Sequence, residues 1–561
     1  MERDQSMPEG SHDVDDSSGI VLDLAVTCGG LKETPARPRK DIVIVFLVRA
    51  AGTAEFCEES RSNGSSGGGT SPGAHFRTVY RFGETQILRF EVYCQYKGAR
   101  GPEFLGRAEC TPLDVVVCLS SQFRMKLFNE DENKQVGTLT IVPTATNLPT
   151  GYSVLEFSGT SVPLKEVFKT ADPMLELWKV EKGGRATLMY TTEVVNNNAN
   201  PTWKPLVVNK EKLGGNNPNE AVEIRVLDVS FSGERKVLGK FWTSVRQLAS
   251  GAEGGLTFAV QETVKEKEES DKEPMLVQLL RYRDFPWFFL DYMNGDFQFN
   301  FAVIVDVSSS NGTMHTLRGK PNRYNLYENA IRAFSDVIQQ YDEQQMIPLV
   351  GFGAKVPPNF MNESLIFLNG ADSVRCRGVK GLLEAYRTKV PQLEPAEPSE
   401  LSPALNYAAK LARDASDPLK YYVVLVFTDG KLDYTLSTLD TLVGASSAPM
   451  SVIFVGIGDN ELPFFKEIEA KKLRQRTQSR TTAERDFVST VAMKDYMSSK
   501  RLHDLPKDAL CDVPDHVMQF LALNDIKPKE KKPPVGDTAV PVRPPSRSGK
   551  ILRNKKSCLS A

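Results

Sequence analysis

Phe299–Val307 reads FNFAVIVDV, a run of apolar residues closing on a carboxylate, and Ser308, Ser309 and Ser310 complete the loop that follows. A strand that is apolar on both faces is buried on both faces, as in a parallel sheet covered by helices. The text downstream has the matching grammar. Amphipathic spacing in ENAIRAFSDVIQQY (Glu328–Tyr341) predicts a helix, and MIPLVGFGA (Met346–Ala354) predicts a second buried strand. VKGLLEAYRTKV (Val379–Val390) and ALNYAAKLARDA (Ala404–Ala415) predict further helices, and YYVVLVFTDG (Tyr421–Gly430) and MSVIFVGIGD (Met450–Asp459) two more strands. Apolar strands alternating with helices predict an α/β doubly wound, Rossmann-like domain over residues 285–525, closing on the helix PDHVMQFLALN (Pro514–Asn524).

Upstream, the pattern is different. IVLDLAV (Ile20–Val26), IVIVFLV (Ile42–Val48), ILRFEVY (Ile87–Tyr93) and VGTLTIV (Val136–Val142) are short β-rich runs separated by polar turns. They predict an all-β sandwich over 19–147, interrupted by the Gly/Ser-rich insertion Ser62–Gly73, around which the central strands look shortened. A second block of similar length and layout, 148–284, carries VLEFSGT, PMLELWKV, AVEIRVLDV and MLVQLLRY. Its charged run Lys265–Glu273 reads as a solvated loop, as does Lys471–Arg480 in the last domain. Residues 1–18 are polar, and 526–561 are Pro-rich with ten Lys/Arg against two Asp/Glu, so both ends are expected to be disordered.

The composition excludes several classes. A formal net charge of -2 over 561 residues argues against a nucleic-acid binder. Eight cysteines without metal-ligand spacing suit a reducing compartment better than a disulfide framework. MERDQSMPEG does not have the pattern of a signal peptide, Glu2 excludes N-myristoylation, and no apolar run approaches the length of a membrane span. There is no G-x-x-x-x-G-K-[ST] loop, kinase signature set or G-x-S-x-G elbow. GFGAKV begins like a dinucleotide fingerprint but has Val356 in place of the last glycine. The five histidines lie in unrelated contexts, and His315, nearest the serine loop, is expected at the surface. The chain is therefore not expected to be an enzyme.

One constellation carries chemistry. In an open parallel sheet, ligands bind at the carboxyl ends of the strands, where Asp306-Val307-Ser308-Ser309-Ser310 and Thr428-Asp429-Gly430 both fall. D-x-S-x-S alone is more often a polar turn. Joined to a strand-terminal Asp429, it offers hard oxygen donors of the kind that suit Mg2+ or Mn2+. With hydroxyls among the donors, such an ion is left short of negative charge, so a carboxylate from another molecule can complete it.

From about Ile20 to Lys527 the sequence resembles the copine family. The resemblance is carried by FLDYMNG, FAVIVDVSSSNG, GFGAKVPP, VFTDG and MSVIFVGIGD in the last domain, and by TADPMLELW and TTEVVNNNANPTW in the second block. It implies two C2-type sandwiches followed by a von Willebrand A-type domain whose metal site uses Asp306, Ser308, Ser310, Ser399 and Asp429; Ser399 stands where the family usually has threonine. In the second C2 module it places Glu166, Asp172 and Asp228 as candidate Ca2+ ligands, with Ser230 and Lys236 where acidic residues are usual. Calcium affinity should therefore fall, and Lys236 becomes a candidate lipid contact. In the first module Asp41 and Glu103 remain, Cys94 occupies a usual aspartate position, and no calcium is expected. Cys558-Leu559-Ser560-Ala561 fits a C-a-a-X prenylation signal beside Lys550, Arg553, Lys555 and Lys556. The resemblance implies an adaptor bound to anionic phospholipid at the cytoplasmic face of the plasma membrane, holding protein partners that offer an acidic group. The alternative is a cytosolic protein-binding scaffold that never meets lipid.

Overall fold

The computed structural model describes residues 19–529, apart from 32–38, 63–64, 67–72, 97–100, 120, 130–133, 149, 167–168, 182, 216, 231–233, 252–254, 263–272, 294–296, 318–322, 371–373, 416, 460–461, 463, 466–481 and 498–500. The tail with Cys558, most of the Lys265–Glu273 run and all of Lys471–Arg480 lie outside the described residues.

The first block is one continuous antiparallel path of strands that folds over on itself. Its order runs Cys57–Arg61, Arg39–Arg49, Ile87–Tyr96, Glu103–Cys110, Phe123–Phe128, Gln135–Ala145, Ile20–Gly29 and Ala74–Tyr80. The crease lies where Glu103–Cys110 meets Phe123–Phe128, joined in register only at Arg107↔Phe128. Folding there brings Phe76, from one end of the path, against Phe46 and Phe90 from the other half, with ring centroids 5.3 and 6.0 Å apart. Contrary to the expectation of shortened central strands, Arg39–Arg49 and Ile87–Tyr96 run 11 and 10 residues. The insertion spares them because the segment just before it, Cys57–Arg61, turns back as an added edge strand with every residue exposed.

The second block has two antiparallel sheets. Leu206–Asn209, Tyr152–Thr160, Leu276–Phe285 and Leu256–Ala259 form one. Ala186–Thr191, Pro173–Val180, Val222–Val229, Arg235–Thr243 and Gln261–Glu262 form the other. Alternate residues such as Leu155, Phe157, Leu175, Leu177, Ile224 and Val226 point inward and share one core with Trp203. Strand alternation in the sequence thus becomes a packed interior.

In the last domain the strands Met346–Phe352, Gln298–Asp306, Lys420–Thr428, Met450–Gly456 and Val488–Ala492 lie side by side and parallel. Phe301, Val303 and Val305 point to one core, which also takes residues of the helices Leu326–Ala333, Ser335–Tyr341, Gly378–Lys389 and Val513–Leu523. Ala302 and Ile304 point to the other, against Ser402–Arg413 and Thr435–Ala445. The single helix expected over Glu328–Tyr341 is two, divided at Phe334. Among the described residues no helix is long and apolar enough to cross a membrane.

The three parts pack together. Phe82 packs against Phe289, Phe299 and Tyr341, and the Tyr80 and Tyr341 hydroxyls are 3.0 Å apart. Gly83 (φ +81) lets this corner close: a Cβ there would lie 2.8 Å from the Pro506 carbonyl oxygen. From the second block, Tyr152 donates to Asp515 at 2.6 Å, Lys212 pairs with the same carboxylate, and Arg283 reaches Asp525 at 2.8 Å.

Candidate functional site

Parallel pairing of Gln298–Asp306 with Lys420–Thr428 sets their carboxyl ends side by side, which is why Asp306 and Thr428-Asp429 meet. Asp306 is fully buried, and both of its oxygens are engaged. Oδ1 accepts from the Ser308 amide (3.0 Å), Ser308 Oγ (2.6 Å) and Asn311 Nδ2 (3.1 Å), and Oδ2 accepts from Thr428 Oγ1 (2.6 Å). Burial pushes its carboxyl up to about 6, opposed by the Ser308 and Thr428 hydrogen bonds and reinforced by Asp429. Ser310 Oγ lies 3.0 Å from Ser308 Oγ.

Ser399 and Asp429 behave differently. The Ser399 backbone is tied down, its amide donating to Asp433 Oδ2 at 2.7 Å and its carbonyl accepting from the Asp433 amide at 3.0 Å. Its Oγ is buried with no hydrogen-bond partner among the described residues, and so is Asp429 Oδ2. The other Asp429 oxygen accepts from the Lys431 amide at 3.0 Å. Buried polar atoms are almost always paired, because an unpaired one keeps its full desolvation cost. Two such orphaned oxygens leave room in their hydrogen-bonding capacity for another donor or a cation. Ser310, Ser399 and Gly430 open on a cavity of about 490 Å3 whose wall includes Lys431, Leu432 and Phe464.

Behind the cluster lies a support that the motifs did not announce. The Tyr327 hydroxyl donates to Asn311 Oδ1, which orients the Asn311 amide towards Asp306. His315, expected at the surface, is half-buried and stacks on Tyr327 with ring centroids 4.1 Å apart. Its Nε2 is 2.8 Å from the Asp306 carbonyl; a carbonyl can only accept, so Nε2 carries the proton and Nδ1 accepts from the Tyr386 hydroxyl at 2.6 Å. Burial holds this imidazole down at about 4, so it is neutral. Surface placement failed as an expectation because Tyr327 stacks on the ring and Tyr386, 71 residues on in sequence, hydrogen-bonds to it. Gly353 explains the incomplete fingerprint GFGAKV. It has φ +80, and a Cβ there would sit 2.8 Å from Ser308 Cβ, so the glycine allows close approach to the serine loop rather than to a dinucleotide.

In the second block the structure brings Asp172 and Asp228 together. Both are buried; Asp228 Oδ1 accepts from the Asp172 amide at 2.9 Å, and Asp172 Oδ1 accepts from the Asn197 amide at 2.7 Å. Lys236 is exposed and pairs with Asp228 across the strands. Ser230 Oγ accepts from the Glu234 amide at 3.0 Å, closing the same loop. Glu166 ends the short strand Leu164–Glu166, and its side chain lies outside the described residues. In the first block Asp41, Cys94 and Glu103 sit at one end of neighbouring strands: Cys94 pairs with both Ile42 and Glu103 and is fully buried.

Comparison with known proteins places these features in a class. The C2 domain model matches residues 152–260, and the copine domain model matches residues 313–529. Among solved structures, BON1-C2B is similar over 24% of this chain and 93% of its own, at 20% identity and TM-score 0.21. A C2 domain of plant Extended Synaptotagmin 1 is similar over 25% of this chain and 98% of its own, at 18% identity and TM-score 0.18. Manganese-loaded Plasmodium vivax TRAP protein is similar over 38% of this chain and 74% of its own, at 16% identity and TM-score 0.25. The chain is thus a multidomain protein of binding type, with a C2 sandwich preceding a copine domain. These two matches agree with the resemblance to the copine family, and C2 and copine domains fit a membrane-associated, phospholipid-binding adaptor family.

Proposed function

We propose that the chain is a membrane adaptor, without catalytic activity, that captures an acidic group of a protein partner through a metal site of the von Willebrand A type. In this reading residues 285–525 are a doubly wound domain and 19–147 a degenerate first C2 module. The observation that carries it is the pair of buried, unpartnered oxygens, Ser399 Oγ and Asp429 Oδ2, beside the hydroxyls of Ser308 and Ser310. The donor set is all oxygen, with two carboxylates and three hydroxyls, and this fits Mg2+ or Mn2+. Asp306, Ser308, Ser310, Ser399 and Asp429 would hold the ion, which supplies an open coordination position to an incoming carboxylate. His315, Asn311 and Tyr327 orient Asp306 and the serine loop, as outer partners of metal ligands generally do. Calorimetric titration of the full chain with MnCl2 tests the site: the expected result is one binding event, lost in Asp306→Ala. Equal binding by that variant overturns the reading.

Attachment to anionic membrane at the cytoplasmic face is proposed to depend weakly on Ca2+. Asp172 and Asp228 already serve backbone amides, and Lys236 adds positive charge beside them. Cys558 with its basic neighbours would supply a constitutive anchor. Sedimentation of unlipidated protein with phosphatidylserine vesicles, in calcium and in chelator, separates these terms; binding that requires calcium overturns the weakened-switch reading.

A further inference from the structure

A second cavity, of about 470 Å3, is a cleft between the second block and the last domain. The strand Ala186–Thr191 lines one side through Leu188, Met189 and Tyr190, and the strand Val488–Ala492 lines the other through Val488, Ser489 and Thr490. Each is the outermost strand of its sheet among the described residues. A free sheet edge leaves backbone N–H and C=O groups unpaired and takes an extended polypeptide as a further strand. Ser489 Oγ, on one of these edges, is buried with no hydrogen-bond partner among the described residues. Where the cleft meets the helix Val513–Leu523 it is acidic, lined by Asp486, Asp508, Asp512 and Asp515. Lys212 is paired with Asp515. Asp508 and Asp512 are exposed, and among the described residues neither forms an ion pair with a cation.

The chain carries a segment of the opposite charge. Beyond Lys529 it lies outside the described residues, and from Thr538 to Ala561 it holds six Lys/Arg and no Asp/Glu. Lys550–Lys556 reads KILRNKK, two apolar residues among four cations. The root of this tail is fixed: the Tyr292 hydroxyl donates to the Ile526 carbonyl at 2.6 Å. From there the last helix leads back about 16 Å to the acidic end of the cleft. The linker from Lys529 to Lys550, roughly 20 residues, spans about 25 Å as a flexible coil. A segment tethered so close reaches an effective concentration in the millimolar range, so a weak contact fills the site.

We infer that this cleft is the resting place of the chain's own basic tail, with Lys550–Lys556 lying as an added strand along its sheet edges. Successive side chains of an extended segment point to opposite sides, so Ile551 and Leu552 meet the two apolar walls. The flanking cations meet Asp508 and Asp512. The same carboxylates repel lipid headgroups while an anionic membrane attracts the tail, so cleft and membrane compete for one segment. The inference does not depend on the metal site.

Native cysteines report the contact. Cys511 is exposed and lines the cleft, Cys558 follows Lys556 by two positions, and exposed Cys57, on the edge strand of the first block, gauges random collision. Full-length, unlipidated protein at low concentration is oxidised with copper–phenanthroline, and its disulfides are mapped by mass spectrometry. Within single molecules, the Cys511–Cys558 disulfide is expected in about fivefold or greater excess over Cys57–Cys558. Joint reversal of the tail charges, Lys550→Glu, Arg553→Glu, Lys555→Glu and Lys556→Glu, should remove the excess. Adding Asp508→Lys and Asp512→Lys to that variant should restore it. Equal yields of the two disulfides in wild type, or an excess that survives the tail reversal, overturns the inference. So does a link found only between molecules, or no recovery in an exchanged variant that unfolds at the wild-type temperature.

Discussion

Ser399→Ala should make the protein more stable without metal and less stable with it. Ser399 is 2% exposed, its Oγ has no partner among the described residues, and its backbone bonds to Asp433 do not involve the side chain. A buried polar group left unsatisfied costs about 1–3 kcal/mol. Removing one such oxygen, with no bond to lose, should therefore raise the stability of the last domain in chelator by roughly 1 kcal/mol, at the lower end of that range because water can reach the cavity beside it. Metal reverses the order. A cation at one hundred times its Kd stabilises by about 2.7 kcal/mol, and a tenfold loss of affinity reduces this to about 1.4 kcal/mol. Urea unfolding followed by tryptophan fluorescence and by a conformational probe in the last domain, in EDTA and in saturating Mg2+, reads both quantities. The two curves should cross: variant above wild type in EDTA, with a smaller gain on adding Mg2+. A variant less stable in EDTA would mean that Oγ has a partner the cluster does not reveal. An unchanged Mg2+ gain would mean that Ser399 holds no ion.

Phe82→Ala should loosen the first block from the last domain, since Phe→Ala truncations of buried side chains cost about 3–5 kcal/mol; limited proteolysis between the two should accelerate, and unchanged cleavage would refute the packing account. His516 should contribute a loss of last-domain stability as pH drops from about 6.5 towards 4, set against the opposite contribution of Asp306, whose raised carboxyl takes up its proton in the folded state in the same window. His516 is held neutral at about 4 by burial, so the unfolded chain binds the extra proton in that window, its contribution to stability rises with pH through it, and the effect is fully present above 6.5. His516→Gln should flatten the slope of unfolding free energy against pH without abolishing it, because His315 is also held at about 4; an unchanged slope would refute the assignment. Ser230→Asp with Lys236→Asp should restore calcium-dependent vesicle sedimentation by replacing a positive charge beside Asp228 with carboxylates; sedimentation still indifferent to calcium would show that charge at these positions does not decide the matter.

Much of this protein is legible along the chain because its signals are local. Runs such as FNFAVIVDV and YYVVLVF declare strands buried on two faces, and the β-rich run AVEIRVLDV declares a strand, since side-chain period follows directly from backbone geometry. Asp306, Ser308 and Ser310 could be nominated together because they share one loop, and Asp429 because strand ends in a parallel sheet lie on one edge. Ser399 came only through family resemblance, as nothing in EPSELSPAL distinguishes a buried ligand serine from a helix-start serine.

The tertiary structure decided what depends on contacts distant in sequence. The strand Val488–Ala492 and the helix Thr435–Ala445 carry weak local patterns and are held by their neighbours in the sheet and by the helix Ser402–Arg413. His315 became an internal support for Asp306 because Tyr386, 71 residues on, closes over it. Phe82 and Gly83, unremarkable in a turn, tie the first sandwich to the last domain. The unpartnered state of Ser399 Oγ and Asp429 Oδ2 is likewise a property of burial and of which groups surround them, and composition and spacing carry no record of either.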